Sequence, residues 1–224
     1  MRPEHKKKKD KYLNLRKVEV RQIEKQTEYE KKRITQQMLL SDFIRVYHQA
    51  MPSGLCQTLI NAFDKDTEHQ SKQEQDHEKF GQRRCTEINL LRGGKVWETY
   101  VQGLQQATHH AVKRYLQDCP SAVLPEEYGL EEYRLKRYDP FKDERFDYHV
   151  DVTCHSSAKR FLVIFWYLNT VDEGGETFFP GMNLKIKPVE GMLLMFPPMW
   201  MYPHAGLKPV SHTKYILGTY LHYR

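Results

Sequence analysis

A histidine and an aspartate two positions apart, followed far downstream by a second histidine, form the set in this sequence best suited to chemistry. His149 and Asp151 stand in the segment Tyr-His-Val-Asp, and His204 stands in Tyr-Pro-His-Ala-Gly. Side chains alternate across a strand, so a strand here would place His149 and Asp151 on one face. Two imidazoles and one carboxylate can bind a divalent metal and leave open positions, which suits non-haem Fe(II). Taken alone, the short motif also arises by chance, and a histidine on an apolar strand is often a packed core residue.

A lysine beside an apolar run is the second candidate. Lys214 lies ten residues after His204 and precedes the β-rich segment Tyr-Ile-Leu-Gly-Thr-Tyr-Leu. An ammonium that projects into a dry cavity near a metal could hold a carboxylate by a charge-assisted hydrogen bond. The alternative is a solvated lysine at the edge of a strand.

The elements that must position these residues come in two groups, helices first and strands later. A short amphipathic helix is predicted after Ser53, its possible N-cap, and a longer one from Trp97 to Tyr115. Residues 64–79 contain no hydrophobic residue, which predicts a long polar loop. The predicted strands are Phe43–Tyr47, Glu87–Leu91, Tyr133–Tyr138, Phe146–Val152, Arg160–Asn169, Glu176–Phe179, Leu184–Lys187, Met192–Phe196 and Tyr215–His222. This order predicts an α+β, mainly β fold, a sandwich or barrel with helices on one face.

The charge pattern separates a basic, polar N-terminal arm, residues 1–38, from a folded domain, residues 39–224. The first 37 residues hold 13 Lys or Arg and 6 Asp or Glu, whereas the rest of the chain holds 22 Lys or Arg and 23 Asp or Glu. A core without excess positive charge argues against nucleic acid as its partner. The arm alone could make a weak contact with a polyanion.

The composition also bears on the compartment. The longest apolar run, residues 161–168, is too short to cross a bilayer, and no apolar stretch follows the basic start as in a signal peptide. We therefore expect no membrane association. The four cysteines are far apart, which predicts free thiols and a reducing, cytoplasmic location.

The C-terminal part of the chain resembles the prolyl-4-hydroxylase-like group of Fe(II)/2-oxoglutarate-dependent dioxygenases. The resemblance runs in order over residues 133–224. The matching segments are His149-Val150-Asp151, Arg160, Tyr167-Leu168-Asn169, Gly174 to Pro180, Pro188 to Gly191, Phe196, His204 to Val210 and Lys214-Tyr215. Ordered agreement of this many segments is far more specific than the two-residue spacing alone.

The resemblance implies a double-stranded β-helix, or jelly roll, supported by N-terminal helices. It implies His149, Asp151 and His204 as the ligands of Fe(II), with no catalytic side chain beyond them. Lys214 would bind the distal carboxylate of 2-oxoglutarate. Residues 39–224 would thus form a dioxygenase domain whose jelly-roll motifs lie within residues 133–224.

Two tyrosines are further candidates for cosubstrate binding on the same resemblance. Tyr138 and Tyr167 lie on the strands before and after the His-Val-Asp motif, where a phenol can donate to a carboxylate. Plain aromatic packing is the alternative for both. The connection from Tyr138 to His149 lacks a glycine, which departs from the family pattern. Thr177, like Gly174 and Gly175, is interpreted as a requirement of the turn.

The implied activity is hydroxylation of an unactivated C–H bond by dioxygen, coupled to oxidative decarboxylation of 2-oxoglutarate, with ascorbate as a possible reductant. The carboxylate of Asp151 favours hydroxylation over halogenation. The resemblance favours a prolyl or other peptidyl side chain as substrate. A free amino acid or small metabolite stays open, as does a jelly-roll binding module that has lost activity. A cupin-like metal enzyme that does not use 2-oxoglutarate is disfavoured by Lys214.

Overall fold

The computed structural model describes residues 39–77 and 81–224. The predicted arm, residues 1–38, lies outside the described residues, and so does its proposed polyanion contact. Within the two described ranges, no helix combines the length and the apolar character that a bilayer crossing requires.

The described chain is mostly β-structure with two α-helices. The helices are α1 (Ser53–Lys65) and α2 (Lys95–Asp118). The strands are β1 (Arg45–Tyr47), β2 (Ser71–His77), β3 (Gly81–Asn89), β4 (Gly129–Leu130), β5 (Arg134–Tyr138), β6 (Phe146–His149), β7 (Arg160–Tyr167), β8 (Thr177–Phe179), β9 (Leu184–Ile186), β10 (Leu193–Phe196), β11 (His204–Gly206) and β12 (Lys214–His222). Short 3-10 helices cover Leu40–Phe43, His155–Ser157 and Pro180–Met182.

These strands form one curled antiparallel sheet with the order β1-β10-β7-β12-β5-β3-β6-β11-β8-β9. Two further strands attach to this path, β2 to β3 and β4 to β12. Many neighbours in the sheet are distant in sequence, as in a jelly roll, where long connections bring non-consecutive strands together. The predicted mainly β jelly-roll fold with supporting helices is confirmed.

The alternation of side chains along β7 shows how the sheet separates two cores. Leu162, Ile164 and Trp166 join the cluster that the two helices cover. Val163 and Tyr167 point the other way, into a second cluster inside the curl of the sheet. Because every second residue turns inward, a strand can pack on the helices and line an internal cavity at once.

The two helices form as their apolar periodicity predicts, but the cap of α1 differs. Pro52, not Ser53, occupies the N-cap position of α1, and the Ser53 hydroxyl instead donates to the Glu190 carboxylate. Helix α2 follows Gly94, whose φ of 73° favours glycine, and ends at Asp118, just before Pro120.

The prediction of a polar loop over residues 64–79 is wrong for most of that stretch. Helix α1 continues to Lys65, and β2 pairs with β3 along its full length. Backbone pairing in a hairpin does not require apolar side chains, and Arg84 adds an ion pair to Asp76 across the two strands. Hydrophobic patterning therefore carried no signal for β2.

Candidate active site

His149 and His204 lie side by side on neighbouring strands inside the curl of the sheet. They are direct Cα partners in the pairing of β6 with β11, and their ring centroids are 4.3 Å apart. Asp151 joins them, and the three residues each offer a ligand atom within 4.8 Å of the others. The antiparallel register thus brings together residues that are more than fifty positions apart in sequence.

Asp151 reaches this position from a bend and not from a strand. The sequence predicts a strand over Phe146–Val152, but β6 covers only Phe146–His149. The Arg160 guanidinium donates to the Asp151 carbonyl at 3.1 Å, and the Tyr220 hydroxyl donates to Asp151 Oδ1 at 2.9 Å. These two contacts, rather than strand alternation, orient the carboxylate.

Hydrogen bonds leave the same nitrogen of each imidazole free. Nδ1 of His149 donates to the Asp147 carbonyl at 2.7 Å, and Nδ1 of His204 donates to the Tyr202 carbonyl at 3.0 Å. In a neutral imidazole the other nitrogen, Nε2, then carries the lone pair. Each Nε2 faces the carboxylate of Asp151, at 3.5 Å from His149 and 3.6 Å from His204.

The donor set fits a divalent cation. Asp151 Oδ2 is buried and has no hydrogen-bond partner in the described structure. An unpaired buried carboxylate oxygen is costly unless a cation balances it. Two free Nε2 atoms and this oxygen converge, and imidazole with carboxylate is a ligand combination suited to Fe(II).

The surroundings of His204 and Asp151 keep these two candidate ligands in their metal-binding protonation states. Burial lowers the pKa of His204 to about 4, with the nearby His149 acting in the same direction. Burial raises the pKa of Asp151, but the neighbouring imidazoles and the Tyr220 hydroxyl outweigh it and hold that pKa well below its usual range. At neutral pH His204 is therefore neutral and Asp151 is ionised.

Aromatic side chains enclose the two imidazoles. The Phe146 ring stacks on His149 with centroids 3.3 Å apart, and the Phe196 ring meets His204 edge-on at 4.8 Å. His149 and His204 are accordingly only 6% and 4% exposed. This packing restricts water around the site and fixes the ring orientations.

The second candidate, Lys214, is buried next to the histidines and not solvated at a strand edge. It lines one cavity together with His149, Asp151 and His204, and is 3% exposed. Burial lowers the pKa of its ammonium to about 7, and Lys136 acts in the same direction. A buried cation of this kind gains most when an anion enters the cavity.

The two predicted tyrosines flank the Lys214 ammonium. Tyr138 is its Cα partner on β5 and lines the cavity, with the ring centre 5.5 Å from Lys214 Nζ. The ring of Tyr167 lies at 5.6 Å, but its hydroxyl is engaged with Thr177 Oγ1 at 2.7 Å. Both rings therefore lie beside the Lys214 ammonium, and Tyr138 also lines the cavity that contains the candidate metal ligands.

Sequence reasoning missed several residues of this cavity. Thr177 lies on β8 and lines the cavity, so its interpretation as a turn residue is wrong, while Gly174 and Gly175 do adopt φ of 73°. Tyr220 lies six residues after Lys214 on β12, an even separation that places both side chains on the same, inward face. Period-two alternation along that strand is the signal that could have identified it.

Comparison with known proteins shows that residues 133–222 match the family profile of the 2OG-Fe(II) oxygenase superfamily. A putative prolyl 4-hydroxylase of Acanthamoeba polyphaga mimivirus is 25% identical, over 63% of this chain and 70% of that protein.

Solved structures share the fold at lower identity. The viral collagen prolyl hydroxylase of Paramecium Bursaria Chlorella virus-1, solved with 2OG, is 20% identical with a TM-score of 0.59, over 81% of this chain and 97% of that one. A prolyl hydroxylase of Trichoplax adhaerens, in complex with a hypoxia inducible factor peptide fragment, is 16% identical with a TM-score of 0.61. This match covers 81% of this chain and 84% of that one.

Proposed function

We propose that this chain, which belongs to the 2OG-Fe(II) oxygenase superfamily and to its prolyl-4-hydroxylase-like group, hydroxylates a prolyl residue of a peptide or protein. It is an oxidoreductase that uses Fe(II), 2-oxoglutarate and dioxygen. The observation that carries the proposal is the convergence of two free imidazole nitrogens and an unpaired buried carboxylate oxygen beside a buried lysine.

In this proposal His149, Asp151 and His204 hold the Fe(II) on one side. When bound, Fe(II) would activate dioxygen, the oxidant, with 2-oxoglutarate as the electron donor, which is chemistry that amino-acid side chains cannot perform. The carbonyl groups that accept from both Nδ1 atoms fix the imidazole orientation, and the Tyr220 hydroxyl fixes the carboxylate. No side chain has to act as a general base.

Lys214 binds the distal carboxylate of 2-oxoglutarate in this scheme. Lys214 lines the same cavity as the proposed metal ligands, and Tyr138 and Thr177 line it too. A charge-assisted bond in a partly desolvated site both orients the cosubstrate and favours dicarboxylates over monocarboxylates. The role of Tyr167 is to place its ring beside the Lys214 ammonium, 5.6 Å from Nζ, and to hold Thr177 by its hydroxyl.

The prolyl substrate is proposed from the relatives. The mimivirus protein, the chlorella virus enzyme and the Trichoplax enzyme are all described as prolyl hydroxylases, and the last was solved with a peptide fragment. Peptidyl proline is therefore preferred over a free amino acid.

The test is to incubate the chain with Fe(II), 2-oxoglutarate and air against a panel of proline-containing peptides and free amino acids. We expect succinate and hydroxyproline in equal amounts from at least one peptide, and none without Fe(II) or with His204→Ala. Oxidation of a free amino acid and of no peptide would favour the small-molecule alternative. No succinate under any condition would overturn the proposal.

A further inference from the structure

A second lysine, Lys136, faces the same active site from the neighbouring strand. On β5 the side chains of Arg134, Lys136 and Tyr138 alternate onto the inner face, and all three line the cavity. Tyr138 is opposite Lys214 and Lys136 is opposite Ile216, so Lys136 lies two residues, about 7 Å along the strand, from the position that faces Lys214. Lys136 also lines the adjoining cavity that Arg83, His149 and Asp151 border.

The ammonium of Lys136 has no partner among the described residues, unlike the arginines around it. Glu87 accepts from Arg83 at 2.9 Å and from Arg134 at 2.8 Å, which engages both of its carboxylate oxygens. Lys136 is opposite Glu87 in the strand pairing, yet it makes no hydrogen bond or ion pair within residues 39–77 and 81–224.

The two carboxylates just before β5, those of Glu131 and Glu132, are likewise paired. Glu131 forms a two-point ion pair with Arg160, at 2.6 and 2.8 Å. Glu132 accepts from Asn89 and lies 3.6 Å from Arg134.

The cofactors do not supply the missing anion either. If Fe(II) is held by Asp151 and 2-oxoglutarate by Lys214, their charges sum to zero, since two negative charges of the cosubstrate and one of Asp151 balance the metal and one lysine. Lys136 then remains as one uncompensated cation beside the reacting centre. A half-buried cation without a partner is unfavourable until an anion arrives.

Electrostatic effects agree with this position. Burial lowers the pKa of Lys136 and the charge of Arg83 lowers it further, while Cys85, Glu87 and Asp151 act in the opposite direction. Lys136 in turn acts to lower the pKa of Lys214, in agreement with the cavity that the two lysines share. An incoming carboxylate would relieve this repulsion.

The geometry points to Lys136 as a specificity residue that binds a carboxylate of the substrate, next to the carbon that is hydroxylated. This inference rests on the proposed prolyl hydroxylation and adds the substrate class, a prolyl peptide with a negative charge beside the proline. The carboxylate could come from an acidic side chain that follows the proline or from a C-terminal proline itself.

Two pairs of peptides distinguish these sources. One pair is acetyl-Ala-Pro-Glu-Ala-amide and its Gln counterpart, and the other is acetyl-Ala-Ala-Pro with a free or an amidated C-terminus. Binding is measured by calorimetry on the whole chain loaded with Mn(II) and 2-oxoglutarate without dioxygen, and turnover is measured separately with Fe(II). We expect the acidic member of one pair to bind roughly tenfold more tightly than its neutral counterpart.

The variants test whether Lys136 is the cause. Lys136→Met should abolish the preference for the acidic peptide and leave the affinity for the neutral one within about twofold, whereas Lys136→Arg should retain it. Lys113→Met, the same change on the exposed face of α2, is the matched control and should behave as the wild type.

The outcomes separate this inference from the proposed function. Equal binding of acidic and neutral peptides overturns the carboxylate site even if proline is hydroxylated. A loss of 2-oxoglutarate affinity in Lys136→Met would also overturn it, because Lys136 would then serve the cosubstrate. An acidic preference that Lys136→Met removes, without hydroxylation of any peptide, supports the site and contradicts prolyl hydroxylation.

Discussion

Removal of the Lys214 ammonium is expected to weaken 2-oxoglutarate binding by roughly tenfold to somewhat over a hundredfold. Lys214 is 3% exposed and shares a cavity with the candidate metal ligands. A hydrogen bond to a charged group contributes about 1.5–3 kcal/mol, and about 1.4 kcal/mol corresponds to a factor of ten in affinity. Lys214→Met keeps the apolar stem and removes the charge. Lys214→Arg keeps the charge in a different shape and should recover part of the affinity.

The same contact predicts how binding depends on pH. The pKa of Lys214 in the free chain is lowered to about 7, first by burial and then by Lys136, while Glu176 opposes the shift. The flanking phenols of Tyr138 and Tyr167 have pKa values raised by burial, so they remain neutral. The bound carboxylate favours the charged lysine and raises its pKa again. Affinity should therefore be constant below about pH 7 and fall by up to about tenfold per pH unit above it.

The assay is an anaerobic titration with 2-oxoglutarate in the presence of Fe(II), followed by the metal-to-ligand absorption band from about pH 6 to about pH 9, that is, from about one unit below to about two units above the expected pKa of Lys214. The wild type should show the fall above pH 7. Lys214→Met should bind weakly and lose this pH dependence, and Lys214→Arg should lose it too, because arginine stays charged throughout. An unchanged dissociation constant in Lys214→Met would show that Lys214 does not bind 2-oxoglutarate.

Three further predictions concern the surroundings of the site. Tyr220→Phe removes the hydroxyl that donates to Asp151 and should weaken Fe(II) binding by about tenfold to a hundredfold in a metal titration, with little change in thermal stability. Thr177→Val leaves the buried Tyr167 hydroxyl without its partner and should lower the free energy of unfolding by about 1–3 kcal/mol in urea. A chain that begins at Leu39 should fold and still consume 2-oxoglutarate; an insoluble product would contradict the predicted domain boundary.

The parts of this fold that sequence reasoning predicted are those with strong local signals. The apolar periodicity of α2 and the short runs bounded by turn residues correspond to elements of the structure. Strand β2 has no such signal, since its pairing with β3 depends on backbone hydrogen bonds rather than on apolar faces. Strand β11 is three residues long and lies behind Pro203, so its local pattern was too short to predict.

The candidate site shows a similar division. From the sequence alone, His149, Asp151 and His204 indicate a metal site, and Lys214 indicates a site for the carboxylate of a bound molecule. These roles remain predictions. The proposed role of Lys136 could not be predicted in this way. It depends on the Glu87 carboxylate being paired with Arg83 and Arg134, which leaves it unavailable to Lys136. Such pairings are set by the register between β3 and β5, which alternation along a single strand does not reveal.

Anaerobic equilibrium dialysis against Fe(II) tests whether His149, Asp151 and His204 form one metal site. The wild type should bind one Fe(II) per chain, and His204→Ala should lose that binding. His212→Ala removes an exposed histidine beside Asp172 and is the matched control, which should bind as the wild type does. Full Fe(II) binding by His204→Ala would show that His204 is not a ligand of this metal site.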